Sequence, residues 1–212
     1  MSEAKTDVLE VGGRRILFVM ATDAEYRDHL RRLFRPFICG VGPVEAAAAC
    51  AWRLAKGDVD LVVSLGSAGS NRLPRGAIAQ ASHVSYRDMD ASAFGFERGV
   101  TPFLDLPATV ALGPAVPGVV QATLSTGATV VSGAAYGAID ADMVDMETWA
   151  VMRACHLAGA DLVALRGISD GSEEVSAYEH WADHLDAVDE GLARAVEKLL
   201  AHIGSGGYPK AG

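Results

Sequence analysis

Four segments along the chain could carry chemistry, three of them with acidic side chains and one built of small residues. They are Glu25, Gly66-Ser67-Ala68-Gly69, Asp145-Met146-Glu147 and Arg166-Gly167-Ile168-Ser169-Asp170. Each has two readings. Glu25 is a first-turn helix residue favoured by the helix dipole, or a carboxylate serving a ligand. Gly66 to Gly69 form a turn, or let the backbone approach a ligand closely. Glu147 has Met146, Ala150 and Val151 as neighbours on an apolar helix, so it must reach solvent or be held by buried donors. Asp170 ends an apolar strand where ligand-facing side chains stand, or it caps a helix or pairs with Arg166.

Those residues can act together only if the elements that carry them end side by side. Arg15 to Met20 is a short apolar run rich in branched residues and reads as the first buried strand. Thr22 or Asp23 caps a helix expected to run to about Phe34, with Pro36 stopping it. Pro43 after Gly42 starts a second helix that continues to Gly57. Asp60 to Leu65 and Thr129 to Val131 read as further strands, and small residues follow both. A helix apolar on most sides is expected from about Asp142 to Leu157, ending at Gly159. A strand from Asp161 to Arg166 and an amphipathic helix from about Ala182 to Ile203 complete the pattern.

Alternating buried strands and helices specify an α/β fold: a three-layer sandwich with a mostly parallel, mixed central sheet flanked by helices. Residues 1–212 read as one domain, with 1–13 and 204–212 as loose tails. In such sheets ligands bind at the carboxyl ends of the strands, which is where the four clusters fall.

The composition excludes several functions. A formal charge of -9, with no concentration of Lys and Arg, does not suit nucleic acid as a partner. Cys39, Cys50 and Cys155 are odd in number and stand in apolar surroundings, so they read as buried thiols in a reducing compartment. No apolar run reaches the roughly 18 residues of a membrane span, and the polar N-terminus lacks the apolar core of a signal peptide; the expected location is the cytoplasm, away from membranes.

The clusters, taken with Ala21-Thr22-Asp23-Ala24-Glu25, Gly40 to Ala47, Tyr86-Arg87-Asp88-Met89-Asp90, Ala93-Phe94-Gly95-Phe96 and Val131-Ser132-Gly133, resemble the 5′-methylthioadenosine/S-adenosylhomocysteine nucleosidases of the nucleoside phosphorylase superfamily. The resemblance covers roughly residues 15 to 200. It implies an enzyme that hydrolyses the N-glycosidic bond of a 5′-modified adenosine and releases adenine. Asp170 is then the acid that protonates N7 of the leaving base, with Ser169 helping to hold it. Glu25 orients and deprotonates the attacking water, with Ser67 and Arg166 around that water. Glu147 grips the ribose hydroxyls and Met146 packs against the sugar. Tyr136 falls where the family sets an aromatic ring against adenine, while Phe94 and Pro102 match positions contributed across a dimer interface, which implies a homodimer.

These residue types suit the reaction. Cleavage builds positive charge on the ribose and negative charge on the base, so a carboxylate near the sugar and an acid near N7 oppose both. The reaction needs no metal or organic cofactor, and the sequence has no metal-ligand cluster.

Two features depart from the family pattern. Ala134 stands where an Asp usually follows Ser-Gly, and the stretch between Glu25 and Gly40 is too short for the family's strand hairpin, so part of the sheet and one wall of the 5′ pocket should be missing or replaced. The superfamily also holds hydrolases of adenosines with bulkier 5′ groups, which leaves that substituent open. The rival readings are a phosphorylase, in which Arg72 or Arg75 would help hold phosphate, and a nucleoside-binding protein without catalysis.

Overall fold

A computed structural model describes residues 7–171 and 185–209. Strands β1 (Val8–Val11), β2 (Arg14–Met20), β3 (Phe37–Ile38), β4 (Leu61–Gly69), β5 (Ile78–Tyr86), β6 (Thr109–Ala111), β7 (Val120–Thr126), β8 (Met143–Asp145) and β9 (Asp161–Asp170) form one mixed sheet. Helices α1 (Asp28–Arg31), α2 (Pro43–Leu54), α3 (Thr148–Ala158) and α4 (Leu185–Gly204) cover it. The central strands are apolar on both faces because both faces are covered. On β2, Ile16, Phe18 and Met20 join α4 in one core, while Leu17 and Val19 join α2 and α3 in the other. This is the expected three-layer arrangement.

The sheet also curls. β4 runs parallel to β2 and β9, β9 pairs antiparallel with β5, β5 runs parallel to β7 and β7 to β8, and β8 returns to β4 through Gly69 and Val144. The circuit brings the ends of β4, β8 and β9 together. At that junction the register of β4 against β9 slips: Ala68 faces Ile168 but Gly69 faces Asp170, so Ser169 is the extra residue of a bulge. Bulges bend a strand and re-aim its side chains.

Several expected boundaries move. Instead of one helix from Thr22 to Phe34, a single 3₁₀ turn (Asp23–Glu25) is followed by extended Tyr26 and Arg27 and then by α1. The cause is tertiary: the buried Asp189 carboxylate of α4 accepts the backbone N–H groups of Arg27, His29 and Leu30, which forces a fresh helix start. Phe34 then stacks on Phe18 with ring centroids 3.9 Å apart. The expected helix from Asp142 begins only at Thr148, because Met143 to Asp145 pair with β7 as a strand. Thr129 to Val131 are loop, not strand; the strand is β7, which ends at Thr126.

Gly66 to Gly69 and Gly167 to Asp170 prolong strands rather than form turns. The second helix ends at Leu54 rather than Gly57. Within the expected N-terminal tail, Val8–Val11 pairs antiparallel with β2, since alternate residues have a strand to cover. In the expected C-terminal tail, Tyr208 is buried under Arg14, whose guanidinium also donates to the Pro209 carbonyl and to Asp161. The expected first residues of the last helix, from Ala182, and the outermost tail residues lie outside the described residues. Among the described residues no helix is long and apolar enough to cross a membrane, and Cys39, Cys50 and Cys155 are buried and free.

Candidate active site

A cavity of about 430 Å³ opens where β2, β4, β8 and β9 end. Glu25, Ser67, Asp145, Glu147, Arg166 and Asp170 all line it. The sheet circuit thus brings the four clusters to one place.

Glu25 reaches the cavity from the 3₁₀ turn after β2, where the Thr22 hydroxyl accepts from Ala24 N–H. Its Oε1 accepts from the Ser67 backbone N–H at 2.8 Å and the Ser67 hydroxyl at 2.6 Å. Among the described residues Oε2 makes no hydrogen bond, and it stands over Gly66, where a Cβ would come within 3.1 Å. Burial raises the Glu25 pKa against the lowering pull of Ser67 and Arg166. A buried carboxylate with one oxygen anchored and the other open is suited to hold and deprotonate water.

Arg166 does not pair with Asp170. Its guanidinium donates to Asp145 Oδ2 through Nε and Nη2 (3.1 and 3.0 Å), to the Ser64 carbonyl and hydroxyl, and to the Thr148 hydroxyl at 2.6 Å. The Asp145 carboxylate in turn accepts from the hydroxyls of Thr126 and Thr148 and from Thr148 N–H, which caps α3. Each buried charge therefore has its partner.

Glu147 precedes α3 rather than sitting within a helix, so its carboxylate enters the cavity without interrupting an apolar face. Gly42 N–H donates to its Oε1 at 2.9 Å. Burial and the neighbouring Asp145 push its pKa up to about 7. Asp170 receives one hydroxyl on each oxygen: Ser169 Oγ donates to Oδ1 at 2.7 Å and the Tyr136 hydroxyl to Oδ2 at 3.3 Å. Met146 also lines the cavity.

The chain as a whole is similar to proteins of known family. A profile of the Phosphorylase superfamily matches residues 35–201. A 5′-methylthioadenosine/S-adenosylhomocysteine nucleosidase of Baumannia cicadellinicola is 31% identical over 184 residues, covering 76% of this chain and 78% of the relative. The chain belongs to this nucleosidase family. Its fold matches that of the corresponding nucleosidase of Colwellia psychrerythraea, solved with adenine, at a TM-score of 0.78 and 22% identity over 92% of this chain and 97% of that one. It also matches the fold of the Helicobacter pylori futalosine hydrolase, with a TM-score of 0.76 and 17% identity over 88% and 97%.

Not every residue singled out from the nucleosidase resemblance reaches the cavity. Tyr136 is buried with Val131 and Val144 and meets Asp170 through its hydroxyl, while Val130 and Val131 themselves line the cavity. Phe94 is 85% exposed in a 3₁₀ turn, and neither it nor the half-buried Pro102 lines the cavity of the single chain. Ser169 acts from behind Asp170. The segment between Glu25 and Gly40, where the resemblance implies a missing or replaced hairpin, holds a short helix and the two-residue β3 laid along β2.

Sequence reasoning also missed Arg87. Its guanidinium donates to the carbonyls of Ser125, Gly127, Thr129 and Asp145, at 2.5 to 3.1 Å, and so ties the 127–131 segment to the end of β8. Asp88 secures the same segment by accepting from Ala128 N–H at 2.5 Å. Nothing local marks such a role, because every acceptor is backbone and lies far along the chain. Asp145 was visible in the motif but its hold on Arg166 was not.

Proposed function

We propose that the chain hydrolyses the N-glycosidic bond of a 5′-modified adenosine of the methylthioadenosine or S-adenosylhomocysteine type and releases adenine. The observation that carries this reading is the meeting of Glu25, Glu147 and Asp170 in one cavity of nucleoside size. Asp170 gives its proton to N7 of the base as the glycosidic bond breaks. Glu147 accepts from the ribose hydroxyls, with Met146 against the sugar. Water held by Glu25 Oε2, near Ser67, attacks the anomeric carbon as the ribose becomes cationic, and Glu25 takes its proton.

Water rather than phosphate is supported by the cations. Among the described residues, Arg87 and Arg166 are the basic side chains that line the cavity, and both guanidinium groups are committed to protein acceptors. Arg72 pairs with Asp142, and neither Arg72 nor Arg75 lines the cavity. A phosphorylase needs several donors converging on its phosphate. The exposed Phe94 supports a homodimer in which the partner closes the 5′ pocket, and the short segment between Glu25 and Gly40 would leave room there for a larger 5′ group. The composition and the buried free thiols support a cytoplasmic enzyme.

The test is adenine release in phosphate-free buffer from adenosines that differ only at the 5′ position. Turnover without phosphate is expected, with methylthioadenosine among the substrates. Strict dependence on added phosphate, with ribose 1-phosphate as product, would establish a phosphorylase, and adenine binding without turnover of any substrate would establish a binding protein.

A further inference from the structure

Tyr136 is where the structure parts from a purely stacking aromatic. It lies in the 3₁₀ helix Gly133–Ala138, 4% exposed, with Val131, Val144 and Ile139 around its ring. Its hydroxyl donates to Asp170 Oδ2, and Ser169 donates to Oδ1, so each carboxyl oxygen has its own hydroxyl donor. The approach depends on Gly69 of β4: a Cβ there would run into both the Tyr136 hydroxyl and Asp170 Oδ2. A glycine at a strand end, a bulge that re-aims Asp170 and a buried phenol converge on one oxygen.

We propose that Tyr136 is a positioning residue for the general acid, its hydroxyl holding Asp170 Oδ2 and stabilising the carboxylate left when the proton goes to the departing adenine. This rests on the reading of Asp170 as the acid. In the step, the Asp170 O–H bond breaks and an N7–H bond forms, while the electron pair of the glycosidic bond goes to the base. The negative charge that develops on Asp170 falls where two hydroxyls already point, so no donor has to reorganise during the reaction. The phenol keeps its own proton throughout, since burial and the neighbouring Asp170 raise its pKa.

Other charged groups line the cavity beside Asp170. Arg87 stands just after β5, Asp145 and Glu147 on and after β8, Arg166 on β9 and Glu25 after β2, whereas the end of β4 presents only Ser67, Ala68 and Gly69 among the described residues. None of these charges donates to Asp170 in the structure.

Tyr136→Phe keeps the ring and removes only the donor. A carboxylate that loses a hydrogen bond holds its proton more tightly, so the alkaline limb of the turnover profile should move up by about one pH unit and plateau kcat should fall about 10-fold, with KM little changed. A ring that merely stacks or packs would leave the limb in place and alter KM or melting temperature instead. The same limb can be read without turnover from the pH dependence of adenine binding by calorimetry, because protonated Asp170 donates to N7. An upward shift in either readout supports the proposal. Superimposable limbs in wild type and Tyr136→Phe overturn it, and wild type that binds adenine but releases none points instead to failure of the hydrolase reading.

Discussion

The β4–β9 seam and the rim formed by residues 87–131 build the two halves of the site by different means. On the seam, parallel backbone pairing runs from Leu61 opposite Asp161 to the bulge at Ser169, and the buried Arg166–Asp145 pair is satisfied on every side. On the rim, the 127–131 segment is held by Arg87 and Asp88, while Phe94 and Phe103 face outward at 85% and 99% exposure. On the proposed function, the seam carries the acid Asp170 and, through Ser67, anchors the base Glu25, and both need fixing to a fraction of an ångström. On the same proposal the rim would meet the base and the 5′ group, and Phe94 and Phe103 are exposed on it.

Breaking the seam should cost most. Asp145→Ala strands the Arg166 guanidinium in a buried site and uncaps α3, so stability should fall by about 3–5 kcal/mol in urea denaturation. A loss below about 1 kcal/mol would mean that the pair does not organise the seam.

Glu147 sits between the two regions and offers a smaller, pH-dependent effect. Its folded pKa of about 7 lies above the unfolded 4.5, so the folded state binds more protons between those values. Wild-type stability attributable to this group is therefore fully present below about 4.5 and lost as the pH rises through 7. Glu147→Gln should flatten that slope and make the ligand-free protein more stable at pH 8 by about 1 kcal/mol, while weakening ribose binding. Equal pH slopes for the two proteins by thermal melting would contradict the account of Glu147.

The rim should respond least in the single chain. Phe94→Ser should change protomer stability by less than about 0.5 kcal/mol. If Phe94 completes a partner's 5′ pocket, the same change should raise KM for methylthioadenosine about 5-fold and weaken self-association by light scattering. Unchanged KM and mass would assign Phe94 to neither role.

This division also explains what the sequence disclosed. The seam was legible because strands buried on both faces are continuous apolar runs, and Asp161 to Arg166 and Asp60 to Leu65 stand out as such. The acidic clusters were legible because carboxylates beside apolar runs need a reason to be there. The extension of β4 through Gly66–Gly69 was hidden, because small residues read as a turn until a curled sheet uses them for close approach. Met143 to Asp145 read as helix for a related reason: a three-residue strand is too short to show its period. The fresh helix start at Asp28 depends on Asp189, far along the chain, and the loop position of Thr129 to Val131 depends on Arg87. Long-range hydrogen bonds of this kind leave no local signature.

The central claim is that Asp170 transfers the proton that lets adenine leave. Asp170→Asn keeps the size of the side chain and a donor for N7, but has no proton to transfer. Turnover and adenine affinity should be measured on one preparation, together with its melting temperature. The account predicts a fall in adenine release of about 100- to 10,000-fold with affinity for adenine changed far less. Near-wild-type turnover per folded molecule, with a melting temperature lowered as for a lost cap or packing contact, would contradict it.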